Sequence, residues 1–359
     1  MLPILESGEE TLVGGQAVME GVMMRGRTSV AVAIRRPDHS IYLHEEALSP
    51  RLYQNRLFRL PFLRGLLLLW EMLVLGTRLM TFSANVATGA LDPDAPVATS
   101  QPPGTDTTTS SANYGADGSA QVGQEILEPP PQIGGVALAI TLLISLGFAI
   151  LVFFLGPLFI ANLIANLLHN QVGDGWLNLV VEGAVRLLLL VGYLYLIGRI
   201  PDIQRVFGYH GAEHKAINAM EQDDPLDIPH VRRASRVHTR CGTGFLLIVM
   251  VVSIFVFAFV GSPSLLIKVI SRIVLVPVVA GISYELMRLG AANYRYRIVK
   301  WLLAPGLALQ GLTTREPDDS MIECAITSLK RVMQRDGLAA ASGEDVDSNL
   351  PPLAVSSKT

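Results

Sequence analysis

The sequence is short of charge. Asp, Glu, Lys and Arg make up only 16% of its 359 residues, whereas soluble domains carry about a quarter, so an ordinary soluble chain is disfavoured. The deficit is uneven: long uncharged runs alternate with Arg-rich segments, and half of all residues are hydrophobic. That is the pattern of a membrane protein. Cysteine is also scarce. Cys241 and Cys324 are the only two, which excludes a disulfide framework and reads as two reduced thiols. The opening MLPILESGEETLVGG has no basic stretch ahead of an apolar one, so it is not read as a cleavable signal peptide and insertion falls to internal segments. No basic stripe is interleaved with aromatics, so nucleic acid is not an expected partner.

The uncharged runs define the expected spans. Residues 133–168 carry no charge, and such a helix exceeds a hydrocarbon core of about 30 Å. Gly156-Pro157 should kink it, which assigns span one to 134–157 with an interfacial tail ending near His169. Span two covers 177–198, where Glu182 and Arg186 share a face and can pair. Span three covers 243–261. Span four covers 265–287, with Lys268 and Arg272 expected to snorkel outward. Residues 169–175 and the turn at Gly261-Ser262-Pro263 hold no Lys or Arg, whereas 199–240 holds seven, from Arg199 to Arg240. Positive charge marks the inner side, so both termini are expected in the cytoplasm of a cell (inner) membrane protein.

The expected fold is therefore a mainly α-helical polytopic membrane protein: four transmembrane helices, a small cytoplasmic N-terminal β-hairpin cap, and amphipathic helices. The cap occupies 1–56, with Val30, Val32 and Ile34 alternating before the turn Arg36-Pro37-Asp38. Residues 57–88 follow. Within them 57–82 is apolar but interrupted by Arg59, Arg64, Glu71 and Arg78, which suits an interfacial helix better than a short span. Residues 89–131, rich in Pro, Gly, Ser and Thr, read as a disordered linker. Spans one and two lie within 132–198, a cytoplasmic loop fills 199–242, and spans three and four lie within 243–288. Cytoplasmic helices occupy 289–340: a basic continuation over 288–303 broken at Pro305-Gly306, then a capped amphipathic helix over 318–335. Residues 341–359 read as a disordered tail.

The loop 199–242 carries the strongest chemical signal. In Tyr209-His210-Gly211-Ala212-Glu213-His214-Lys215, two histidines four apart face one way on a helix and can grip one metal ion. Glu213 beside them could activate a water. The order H-x-x-E-H is the inverzincin pattern, transferable as geometry only. The bland alternative is a polar helix with ordinary hydrogen bonds. His238-Thr239-Arg240-Cys241 lies in the same segment, and a His and a Cys three apart can also face one ion, the thiolate being a soft zinc ligand. A simple loop-to-span junction is the other reading. Glu285, at the inner end of span four, is either a further carboxylate ligand or a salt-bridge partner for Arg288 or Arg240. Gly14-Gly15-Gln16 through Gly26 reads by its chemistry as a structured turn. Gln310, Thr313, Thr314 and Arg315 are possible cytoplasmic contacts, with a loop as the default reading.

These segments resemble a family of bacterial membrane proteins of the YqhQ type. The resemblance runs through GGQAVMEGVMMRG, HGAEHKAIN, HTRCGTGF, ISYELMRLGA and PGLALQGLTTREP. The label attached to that family implies a metal-dependent enzyme without naming a reaction. It supports His210, His214, His238 and Cys241 as ligands and raises Gln16, Glu20 and Arg25 to candidate site residues; Arg240, within the His238–Cys241 motif, is a further polar candidate. Two functions follow as expectations. One is a membrane-embedded hydrolase or peptidase holding a divalent metal, zinc first, on His210 and His214 with His238, Cys241 or Glu285, and Glu213 as general base. The other is a non-enzymatic scaffold or assembly factor. Membrane lipid is the expected partner, with a homo-oligomer as a further option. Haem is a distant third, for want of a c-type attachment motif.

Overall fold

The computed structural model describes residues 13–48, 60–91, 135–167, 176–260 and 264–337. The expected linker beyond Leu91, the two turns expected on the outer side and the expected C-terminal tail fall outside them. The Gly-rich segment is more than a turn. β1 (Gly14–Val18) and β2 (Gly21–Arg25) pair antiparallel, and β3 (Ser29–Arg35) and β4 (Ile41–Ala47) continue an antiparallel meander in the order β1-β2-β3-β4. The expected hairpin is thus the second of two. Glycine is required at position 21: a Cβ there would lie 2.3 Å from the Ala33 carbonyl oxygen. The tight β1–β2 turn places Glu20 at φ 50.

Alternation along the strands gives the sheet two buried faces. Val18, Met23, Val30, Val32 and Ile34 pack on α1 (Leu63–Ala87) through Leu79 and Val86. Ala17, Val22, Met24, Ala31 and Ala33 pack on α5 (Pro201–Glu221) and α11 (Asp319–Arg335). The expected capped helix is α11: Asp318 accepts from the Met321 amide at 2.9 Å, and Ile322, Ala325, Leu329 and Val332 are fully buried on one face. A layer of helix, sheet and helix pair results.

α1 begins and ends later than the expected interfacial stretch 57–82, and among the described residues it is one of four helices long and apolar enough to cross a membrane. Its charges are neutralised in pairs, Arg64 with Glu285, Glu71 with Arg25 at 3.2 Å, and Arg78 with Glu46. The other three helices contain Ile140–Ile164, Asn178–Ile197 and Gly242–Val260. The expected fourth span is broken. α8 (Leu265–Val274) meets α9 (Val276–Ala292) at 45°, so the pair counts as a fifth crossing if it is one span. The break precedes Pro277, which has no N–H to offer the preceding turn. The chain continues through α10 (Arg297–Thr313), which runs through Pro305. Contrary to expectation, the interruption falls at 293–296, where the Asn293 amide and side chain both bond the Leu289 carbonyl.

Span one is continuous. α2 (Gly135–Ile150) passes through one π-helical turn, Leu151–Leu155, into α3 (Gly156–Leu167). Pro157 cannot donate to the Phe153 carbonyl. That oxygen accepts instead from Arg186 Nε at 3.1 Å. Arg186 lies on α4 (Trp176–Ile197) and also reaches Ser253 on α7 (Gly242–Val260) at 3.0 Å and Glu182 at 2.7 Å. Arg272 does not snorkel outward. It is 2% exposed, bonds Glu182 at 2.9 Å, and lies 4.1 Å from the Phe257 ring centre. A carboxylate held between two guanidiniums satisfies donors that lipid could not.

Removing that carboxylate leaves two buried cations without a counter-charge. Glu182→Gln is expected to cost about 3–5 kcal/mol and lower the melting temperature in detergent. An unchanged melting curve would show that the triad contributes nothing.

Candidate metal centre

α5 starts with an extended Ile200, Pro201 in its first turn and Asp202 at the positive end of the helix dipole. It is a polar helix that is buried on most sides, including Glu213, His214 and Lys215, so its side chains need partners. The chain beyond it provides them. After α6 (Ile228–Arg233), a loop runs back along α5 and presents its carbonyls. Lys215 Nζ donates to Arg232 O at 2.7 Å and Ala234 O at 3.1 Å; Asn218 Nδ2 donates to Ser235 O at 2.7 Å and Val237 O at 3.0 Å. His214 Nδ1 takes the Arg236 carbonyl at 2.7 Å. The loop then delivers Cys241 to the first turn of α7.

From the other side comes the end of α10. Thr313 O lies 2.8 Å from His210 Nδ1. Gln310 grips the His238 backbone twice, accepting from its N–H at 3.0 Å and donating to its carbonyl at 2.8 Å. The segment after α10 crosses α5 at Gly211, where a Cβ would lie 2.1 Å from Arg315 O.

These contacts set the histidine tautomers. A carbonyl only accepts, so Nδ1 of both His210 and His214 carries the proton, and in a neutral ring the lone pair is left to Nε2. Metal-ligating histidines are held in this way. His210 Nε2 lies 3.3 Å from Cys241 Sγ. One ligand atom from each of His210, His214 and Cys241 lies within 4.8 Å of the other two. Bonds of about 2.0–2.3 Å at a tetrahedral angle put ligand atoms roughly 3.5 Å apart, so the atoms would draw together by up to about 1.3 Å to close the set on one ion. The Thr243 amide donates to Cys241 Sγ at 3.4 Å.

Glu213 lies beneath β1: a Cβ on Gly15 would touch its carboxylate at 2.8 Å. The carboxyl interacts with His210 and His238. His238 borders the trio, its ring 5.9 Å from that of His214, but its Nε2 faces Glu221 at 3.3 Å. Arg240 pairs with the same Glu221. The remaining candidates lie elsewhere. Glu285 pairs with Arg64, Arg25 with Glu71, and Glu20 with Arg205 and Tyr209, while Gln16 packs against Gly76 of α1. Two grooves flank Arg315, one between α5 and the start of α11, the other between the ends of α4 and α10, and neither is lined by the His–Cys trio.

A family model described as "Protein of unknown function (DUF1385)" matches residues 60–335. The chain belongs to the DUF1385 family. It is also 35% identical, over 331 residues, to the uncharacterized protein YqhQ of Bacillus subtilis (strain 168), covering 91% of this chain and 93% of that protein. No solved structure matches it. Within this DUF1385 chain, sequence reasoning gave no role to Lys215 and Asn218, and it named Gln310 and Thr313 only as possible contacts on a loop, whereas they lie at the end of α10 and help clamp the trio. Their signal was amide and hydroxyl groups within the long motifs HGAEHKAIN and PGLALQGLTTREP, with nothing local to say what they bond.

Burial pushes the Glu213 carboxyl above its ordinary 4.5, against the pull of His210 and His238. A raised carboxyl supports the fold fully below that ordinary value and loses its contribution as pH rises through the folded value. Metal-free Glu213→Gln protein is therefore expected to melt higher than the wild type at neutral pH, with the difference vanishing in acid. Coincident melting profiles at every pH would contradict a buried, disfavoured carboxylate.

Proposed function

We propose that this protein is a metal-dependent membrane enzyme, a hydrolase or peptidase, with its site at the cytoplasmic face of a cell membrane and both termini on that side. One observation carries the reading: three ligand atoms from His210, His214 and Cys241 converge while both imidazoles are clamped by carbonyls through Nδ1. The donor set of two nitrogens and one sulfur suits zinc best. Three protein ligands leave one position open, as in catalytic rather than closed structural sites. A divalent cation held there would supply Lewis-acid chemistry. The chain would supply the rest. Glu213, buried beside the histidines, would hold or accept a proton, and His238 with Glu221 would border the site. Membrane lipid is the expected surrounding, with self-association as a further proposal.

A second reading has its own support. Since neither groove beside Arg315 reaches the trio, a metal there could instead staple the loop to α5 within a scaffold. Metal content and function separate the two. The purified full chain is expected to retain about one zinc, and His210→Ala, His214→Ala and Cys241→Ser each to lose it. Glu213→Gln should keep the metal yet fail to complement a deletion strain. Wild-type protein without stoichiometric metal defeats both readings, and full complementation by Glu213→Gln defeats the enzyme.

A further inference from the structure

The groove between the ends of α4 and α10 encloses about 280 Å³. Its polar wall holds two guanidiniums, Arg199 and Arg315, and no carboxylate. Arg199 bonds the Tyr195 hydroxyl and lies 4.3 Å from that ring's centre. Arg315 reaches only the Gly198 carbonyl, at 3.4 Å. Among the described residues neither forms an ion pair with an acid, so two guanidiniums line one groove without a carboxylate of their own. The other wall is apolar, with Leu312 facing the end of α4. Glycine keeps the space open: a Cβ on Gly311 would meet nothing within 4 Å. The groove also lies where the apolar window of α4 ends, at Ile197, with Tyr195 half exposed beside it. That is the depth at which amphipathic aromatics meet headgroups. The wider groove on the far side of Arg315 contains Glu316 and Asp318, so it does not favour an anion.

We propose that this groove binds a phosphate-bearing anion, the headgroup of an anionic lipid from the adjoining leaflet, with Arg199 and Arg315 on the phosphate and Leu312 along the first acyl carbons. Planar guanidiniums suit phosphate oxygens, and hydrogen bonds between ions are the stronger kind. The site does not depend on a metal being bound. It does lie on the segment that supplies Thr313 O to His210, so an occupant would steady that segment.

Binding of three probes to the full chain in detergent tests the proposal: short-chain dihexanoyl phosphatidylglycerol, its phosphatidylcholine counterpart, and inorganic phosphate. Phosphatidylglycerol is expected to bind. Arg199→Gln and Arg315→Gln should each weaken it by about tenfold, and Gly311→Leu should fill the groove and abolish it. Arg315→Lys, which keeps the charge but loses the planar fork, separates lost charge from lost fold and should weaken binding less than Arg315→Gln. Phosphatidylglycerol binding far more tightly than phosphate identifies a lipid ligand, and equal affinities identify the free anion, either outcome supporting the anion site. Phosphatidylcholine binding as tightly as phosphatidylglycerol, or full affinity in both Gln variants, would overturn it.

Discussion

A polar helix is buried, and everything around it has to answer that fact. α5 turns His210, His214, Lys215 and Asn218 toward chain rather than water. Unmet, each donor would cost of the order of 1–3 kcal/mol. The loop from Arg232 to Val237 meets them with successive carbonyls, and Thr313 O meets His210. One set of hydrogen bonds thereby anchors the loop, selects both imidazole tautomers, and brings Cys241 to His210. The candidate centre is a consequence of satisfying α5. The sheet and α11 close the remaining faces, with Gly15 and Gly211 small enough to let chain lie directly on the helix.

The same rule governs the apolar helices, whose own side chains offer few partners. Pro157 frees a carbonyl, Arg186 takes it, and Glu182 balances Arg186 and Arg272 together. Charges that look anomalous in an apolar run are joined into one buried triad. The arginines at the ends of α4 and α10 differ. They have room, no carboxylate among the residues lining their shared groove, and an apolar neighbour, which is why they suit an external anion.

How much of this was legible in the sequence depends on range. Short-range chemistry was readable: the His210–His214 spacing, the Asp318 cap of α11, the β3–β4 turn, and the Glu182–Arg186 pair all lie within four residues or one turn. Long-range satisfaction was not. Nothing local says that Arg272 will turn inward to Glu182, ninety positions away. Nor could spacing decide between His238 and Cys241, because Gln310, seventy-two positions on, holds the His238 backbone while its ring turns to Glu221. The β1–β2 pair was hidden because glycine has little strand preference, whereas burial between α1 and α5 makes it a strand. Pro305 was overweighted as a breaker, since α10 runs through it.

The most direct test of the centre is X-ray absorption at the metal edge of full-length protein loaded with one equivalent of zinc. One sulfur at about 2.3 Å and at least two imidazole nitrogens at about 2.0–2.1 Å are expected, with the sulfur lost in Cys241→Ser. A first shell of oxygen and nitrogen only, unchanged by that substitution, would contradict a centre built on His210, His214 and Cys241.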